Sequence, residues 1–96
     1  MVKNVLKIWK QAEKIIPGGN GLLSKRPKRF LPHGWPIYYK RAKKNYIWTL
    51  NNKKLIDFSI MGIGTSILGY ANEVVDKKVK KAIDNGINTS LNCIEE

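Results

Sequence analysis

Ninety-six residues, 43% apolar and 26% charged, have the composition of an ordinary globular domain or of one piece of a larger one. That composition excludes collagen-like, mucin-like and strongly disordered chains, while a formal charge of +11 keeps a polyanion partner in view. No apolar run approaches the roughly 18–20 residues of a membrane-spanning helix, and the one cysteine, Cys93, has no second cysteine to pair with. The opening Met1-Val2-Lys3-Asn4 leads into no apolar signal core. A cytoplasmic protein without membrane spans or disulfides is expected.

The first segment, 1–17, is expected to carry a helix over 2–16. Val2, Val5, Trp9, Ala12 and Ile16 recur at spacings of three and four, with Lys3, Lys7, Lys10 and Lys14 off that stripe. Pro17-Gly18-Gly19 stops it, because proline cannot continue a helix and glycine supplies a left-handed turn. Residues 18–36 have little periodicity and several prolines, which predicts an extended segment ordered by contact. Its Leu22, Leu23, Phe30, Leu31 and Trp35 call for burial, and its basic knot, Lys25-Arg26-Pro27-Lys28-Arg29, reads as a solvated loop in preference to a phosphate site.

Residues 37–58 read as a three-stranded antiparallel meander. Ile37-Tyr38-Tyr39, Tyr46 to Leu50 and Leu55 to Phe58 are β-rich runs, with turns around Lys43-Lys44-Asn45 and Asn51-Asn52-Lys53, the second read as a primed turn. In 59–71, glycines and other small residues alternate with apolar ones, so the backbone there can approach a ligand or another backbone closely. Gly62-Ile63-Gly64 lacks the further glycine of a dinucleotide fingerprint, and no Gly-Lys-Ser/Thr follows as in a Walker loop. A shaped wall is the better reading.

Over 72–86 a second helix is expected. Asn72 is its N-cap, Glu73 favours its dipole, Val75, Val79, Ala82 and Ile83 form its buried stripe, and Asn85-Gly86 ends it. Residues 92–96 then carry the start of another helix, Asn92 to Glu95 having the form of a capping box. Two amphipathic helices, a small sheet and a glycine-rich wall all lack an opposing surface. The expectation is the opening of a larger protein, incomplete by itself.

Charge offers the alternative, a small basic module that binds RNA or another polyanion. The basic residues are fifteen Lys and three Arg, spread over every segment and accompanied by nine Asn. Readers of bases and phosphates favour Arg for its bidentate fork, and a biased composition accounts for such lysines equally well. Nucleic acid is therefore the lesser reading.

Taken together, Trp9, Ile16-Pro17-Gly18-Gly19, the hairpin Tyr46 to Phe58, and Gly62 through Leu68-Gly69-Tyr70-Ala71-Asn72-Glu73-Val74 resemble the N-terminal part of class III aminotransferases. Within them the pattern is most similar to the glutamate-1-semialdehyde aminomutase branch. The resemblance implies a segment of a fold-type I α/β transferase that depends on pyridoxal phosphate and acts as a homodimer on a small amino or carbonyl substrate. It implies further that the cofactor-binding lysine, the pyridinium-pairing Asp and the phosphate loop lie outside this chain. No catalytic or cofactor-binding residue is therefore assigned here. The segment matching Met61, Gly62, Ile63, Gly64 and Thr65 lines the substrate pocket in that family, and Ile63 falls where an aromatic is frequent. Near Ser24, Lys25 and Arg26 the aminomutases place an arginine for a substrate carboxylate. A transaminase acting on an amino sugar or an amino-acid-like aldehyde stays equally open.

The remaining single residues have simpler readings. His33 has no second ligand nearby and reads as a turn histidine. Cys93 reads as a structural thiol, and Asp57 as a strand-end carboxylate that caps backbone amides or pairs with a lysine. Three tryptophans and four tyrosines sit at positions that fit packing better than base stacking.

Overall fold

The computed structural model describes residues 2–31 and 33–94. A helix, α1 (Val2–Ile15), leads through short turns into three strands, β1 (Tyr39–Lys43), β2 (Tyr46–Thr49) and β3 (Lys54–Ile56), and a second helix, α2 (Glu73–Asp84), follows a long loop. The strands form one antiparallel sheet in the order β1-β2-β3. Helix, meander, loop and helix are thus the architecture expected from the sequence.

Helix α1 ends where proline and glycine stop it. Ile16 is extended, Pro17 opens a 3-10 turn, and Gly18 and Gly19 take φ of 75° and 81°. Trp9 lies so close to Gly19 that a Cβ there would sit 2.5 Å from its ring, so the glycine is required by space as well as by φ. The far side of Trp9 faces Tyr38, ring centroids 6.5 Å apart. Half-buried Val5, Trp9 and Ala12 mark the expected stripe, but Ile16 is exposed.

The segment expected to be extended is instead a chain of tight turns. Leu23–Lys25 and Pro27–Arg29 are both 3-10 turns, closed by i→i+3 bonds such as Lys25 N–H to Leu22 O at 3.0 Å and Arg29 N–H to Arg26 O at 3.0 Å. Pro17 and Pro27 each open such a turn because the φ that proline fixes is the φ a 3-10 turn needs.

In the meander, β1 runs up to the two-residue turn Lys44-Asn45, Lys43 pairing with Tyr46 and Tyr39 with Thr49 across a bulge. The strand expected at Ile37 therefore begins at Tyr39. Because β2 ends at Thr49, Ile37 and Tyr38 have no residue opposite them. The second turn is not primed. Asn52 alone takes a positive φ, 63°, and Asn52 N–H donates to Thr49 O at 2.9 Å, so a turn of the ordinary kind is followed by one left-handed residue. One face carries Arg41 4.8 Å from the Trp48 ring and the Lys54 ammonium 3.7 Å from the Tyr46 ring.

At α2 the Asn72 carboxamide accepts from Val74 N–H and Val75 N–H, each at 3.2 Å. The helix closes on Asn85, with Gly86 at φ 95°. Its expected buried stripe stands open: Val75, Val79 and Ile83 are 44%, 50% and 51% exposed. Leu22, Leu23, Phe30, Leu31 and Trp35 are exposed as well, although Phe30 and Trp35 stack on each other at 4.7 Å. Cys93 is exposed rather than packed, and the helix start expected at 92–96 lies partly outside the described residues.

Among the described residues no apolar side chain is fully buried. The accessible surface is 8686 Å², against roughly 5,600 Å² for a compact chain of this mass. The radius of gyration is 16.5 Å, where roughly 12.5 Å is usual. The apolar stripes are real. Among the described residues no surface covers them.

Candidate functional site

The loop after β3 is anchored at both ends on one hairpin turn. At its entry, Asp57 N–H donates to Asn45 O at 2.8 Å; at its exit, Tyr70 and Lys44 exchange two backbone bonds, both 2.8 Å. Gly69 makes that approach possible. It takes φ 91°, and a Cβ on it would stand 3.0 Å from Lys44 Cα. The two ends are also tied by side chains: Asp57 Oδ1 accepts from Ser59 N–H at 2.7 Å, and Asp57 Oδ2 accepts from the Tyr70 hydroxyl. Just beyond, the Lys43 ammonium meets Glu73 Oε1 at 2.9 Å.

Burial acts to raise the Asp57 pKa, but the hydrogen bonds from Tyr70 and Ser59 outweigh it and hold the carboxyl below its ordinary value. Donating that bond to Asp57 holds the Tyr70 phenol above its ordinary value. At Glu73, the hydrogen bond and charge of Lys43 lower the carboxyl's pKa.

Inside the loop, Met61, Gly62, Ile63 and Gly64 take φ of 44°, 69°, 60° and 77° in succession, one left-handed turn. Each L-residue in that region costs about 1–2 kcal/mol, and a β-branched side chain such as Ile63 is rare there. Compensation comes from Gly64 N–H to Ile60 O at 2.8 Å, Ser66 N–H to Met61 O at 3.2 Å and the Thr65 hydroxyl to Gly62 O at 2.8 Å. Gly62 is needed twice over, since a Cβ would also stand 2.6 Å from Thr65 Oγ1, whereas around Gly64 the space is open. Met61 is half-buried; Gly62, Ile63, Gly64 and Thr65 are exposed, Ile63 by 82%. Phe58, Ile60, Ile67 and Leu68 add to this apolar surface.

Ser24, Lys25 and Arg26 belong to a different place. Ser24 and Lys25 are exposed in their 3-10 turn, and the Arg26 guanidinium lies against Gly18, in the space a Cβ would take. Arg26 Nε is buried there without a hydrogen-bond partner. Among the described residues no hydrogen bond or ion pair joins this group to Met61–Thr65. His33 sits in an exposed turn, and no three metal-ligating side chains cluster among the described residues. No described helix is long and apolar enough to cross a membrane.

Asp57 caps the Ser59 amide as expected, but its bond to Tyr70 is not legible from local sequence. The available signal is Gly69, a glycine just before an aromatic, where one backbone must pass close to another.

No protein-family profile matches the chain. It is 36% identical over 93 residues to the glutamate-1-semialdehyde 2,1-aminomutase of Wigglesworthia glossinidia brevipalpis, covering 95% of this chain and 21% of that one. The aminomutase of Sulfolobus acidocaldarius is 36% identical over 80 residues, 83% of this chain and 18% of its own. The chain resembles one segment of a glutamate-1-semialdehyde aminomutase. The solved structure of the PLP internal aldimine form of the Sphingopyxis sp. MTA144 FumI protein agrees, with a TM-score of 0.70 at 25% identity over 88% of this chain and 20% of that one. The likeness to class III pyridoxal-phosphate aminotransferases, near the aminomutase branch, is thus the one the comparisons return. The fold is a fragment matching that of a pyridoxal-phosphate enzyme. The chain spans about a fifth of the length of the curated relatives it matches. Nothing in the comparisons supports a polyanion-binding module.

The described residues do not themselves form a site for pyridoxal phosphate. Among the described residues no lysine is buried, and half-buried Lys43 is committed to Glu73. The first amides of α2, where a phosphate could seat, already donate to Asn72.

Proposed function

We propose that this chain is the substrate-pocket wall and dimer-contact segment of a class III aminotransferase, inactive alone. The assembled enzyme moves an amino group from a donor to a carbonyl acceptor, with pyridoxal phosphate held by residues beyond this chain. One observation carries the reading: the likeness extends over 95% of this chain but only 21% of the aminomutase it matches. The exposed stripes of α1, α2 and the loop are then the faces that the remainder of the enzyme, or a second subunit, covers.

Within that enzyme the Met61–Thr65 turn borders the substrate. Gly62 and Gly64 let the substrate approach the backbone, and Ile63 with its apolar neighbours excludes water from the reacting groups. With isoleucine where the family frequently has an aromatic, a transaminase acting on an amino sugar or an amino-acid-like aldehyde is an equal alternative to the aminomutase. Ser24 and Lys25 are free to meet a substrate carboxylate; Arg26 reaches one only by leaving Gly18. The proposed setting is the cytoplasm. Lys43 is committed to Glu73 within the chain, which takes one cation from a continuous basic face for nucleic acid.

The test is a chimera in which residues 2–94 replace the matched segment of the Wigglesworthia aminomutase. A folded, cofactor-loaded chimera is expected to accept an amino group from at least one donor in a panel that includes glutamate-1-semialdehyde. A folded, loaded chimera that accepts from none contradicts the reading.

A further inference from the structure

The loop's conformation costs energy in its middle, where local hydrogen bonds offset it, and its ends are tied to each other. Four successive left-handed residues, two of them not glycine, are held by a few local hydrogen bonds. Of these four residues Met61 is half-buried and the other three are exposed, Ile63 by 82%. What fixes the turn in space is its base, where Asp57 and Tyr70, thirteen residues apart, join across the two chain ends. Asp57 faces the Ser59 amide on its other oxygen, so the carboxylate spans entry strand, loop start and loop exit at once. Removing the Tyr70 hydroxyl leaves the backbone pair with Lys44 possible but unlocks the side-chain tie.

We propose that Asp57 and Tyr70 are positioning residues, a latch that closes the 58–69 loop at its base and sets the Met61–Gly64 turn where a substrate is met. The latch's purpose rests on the pocket-wall reading of the loop. Both residues lie outside the turn itself and act on it through its base.

Amide hydrogen exchange on the folded chimera tests the latch without any activity. With Tyr70→Phe, the amides of Gly64, Ser66, Gly69 and Tyr70 are expected to exchange about tenfold faster, while the β1–β2 ladder and α2 stay within about twofold. Asp57→Asn keeps one acceptor oxygen where the carboxylate offers two, so it cannot take both the Tyr70 hydroxyl and the Ser59 amide, and the same amides are expected to exchange about threefold faster than wild type. Equal exchange in wild type and Tyr70→Phe overturns the latch, and so does a wild-type loop with no protection at all. Loss of protection throughout the chain overturns it too, by making the bond a general structural one. In the chimera, Tyr70→Phe is expected to raise KM about tenfold and leave kcat nearly unchanged, with Asp57→Asn between it and wild type. A faster loop with an unchanged KM supports the latch and overturns the pocket reading on which its purpose rests.

Discussion

Asp57 gives the residue scale its pH test. Its carboxyl is held below its ordinary value in the folded chain, so the stabilisation it provides is fully present above the unfolded value. It is lost as pH falls through the lower, folded value. Protection of the Gly69 and Tyr70 amides, corrected for intrinsic exchange, is therefore expected to be level down to about pH 4 and to decline below it. The Asp57→Asn chain is expected to show no such decline. A decline of the same size in both would assign the transition elsewhere. At Ile63 the consequence is specificity: in the chimera, Ile63→Phe is expected to shift KM among amino donors by several-fold with a smaller change in kcat. Asp57 as a capping carboxylate is legible in the sequence, because capping is a local event two residues away. Tyr70 is not, because no pattern within a strand or helix period links positions thirteen apart.

Among the elements, the helix boundaries are the most legible. Proline and glycine end α1, and Asn72 begins α2 through two side-chain bonds, so local chemistry sets both limits. Replacing Asn72 by Ala is expected to cost about 1 kcal/mol of helix stability, read as lost helicity by circular dichroism, with Asn72→Asp close to neutral. Propensity places the start of β1 two residues too early, because that start depends on where β2 ends, which is a matter of pairing. Residues 18–36 read as extended because prolines oppose helices and strands alike; the same fixed φ suits the 3-10 turns that form. Gly69 is where loop and meander depend on each other. Its Ala variant would carry a Cβ 3.0 Å from Lys44 Cα at a φ of 91°. A destabilisation of about 1–2 kcal/mol is expected, measured by hydrogen exchange, with the Lys44 and Tyr70 amides the first to open.

For the whole molecule, the amphipathic patterns mark the apolar stripes correctly and their burial incorrectly. Periodicity shows which side of a helix seeks cover, not whether the same chain provides it. The accessible surface exceeds that of a compact chain of this mass by about 3,000 Å², well above the roughly 800 Å² per partner of a standard interface. Purified alone, the chain is expected to bind a hydrophobic dye and to melt broadly or aggregate. Its exposed Phe58, Ile63, Ile67 and Ile94 are candidates for the surfaces that drive aggregation. The pocket-loop assignment is legible only through resemblance, since among the described residues the loop's apolar side chains stand exposed.

The most direct measurement compares this chain alone with the same chain co-expressed with the remainder of the Wigglesworthia aminomutase, by hydrogen exchange and gel filtration. If it is a segment of such an enzyme, the two pieces elute together. The α2 amides and the 58–69 loop then become more protected than in the chain alone. A chain that stays separate, elutes as a monomer and melts cooperatively at high temperature by itself would contradict that claim.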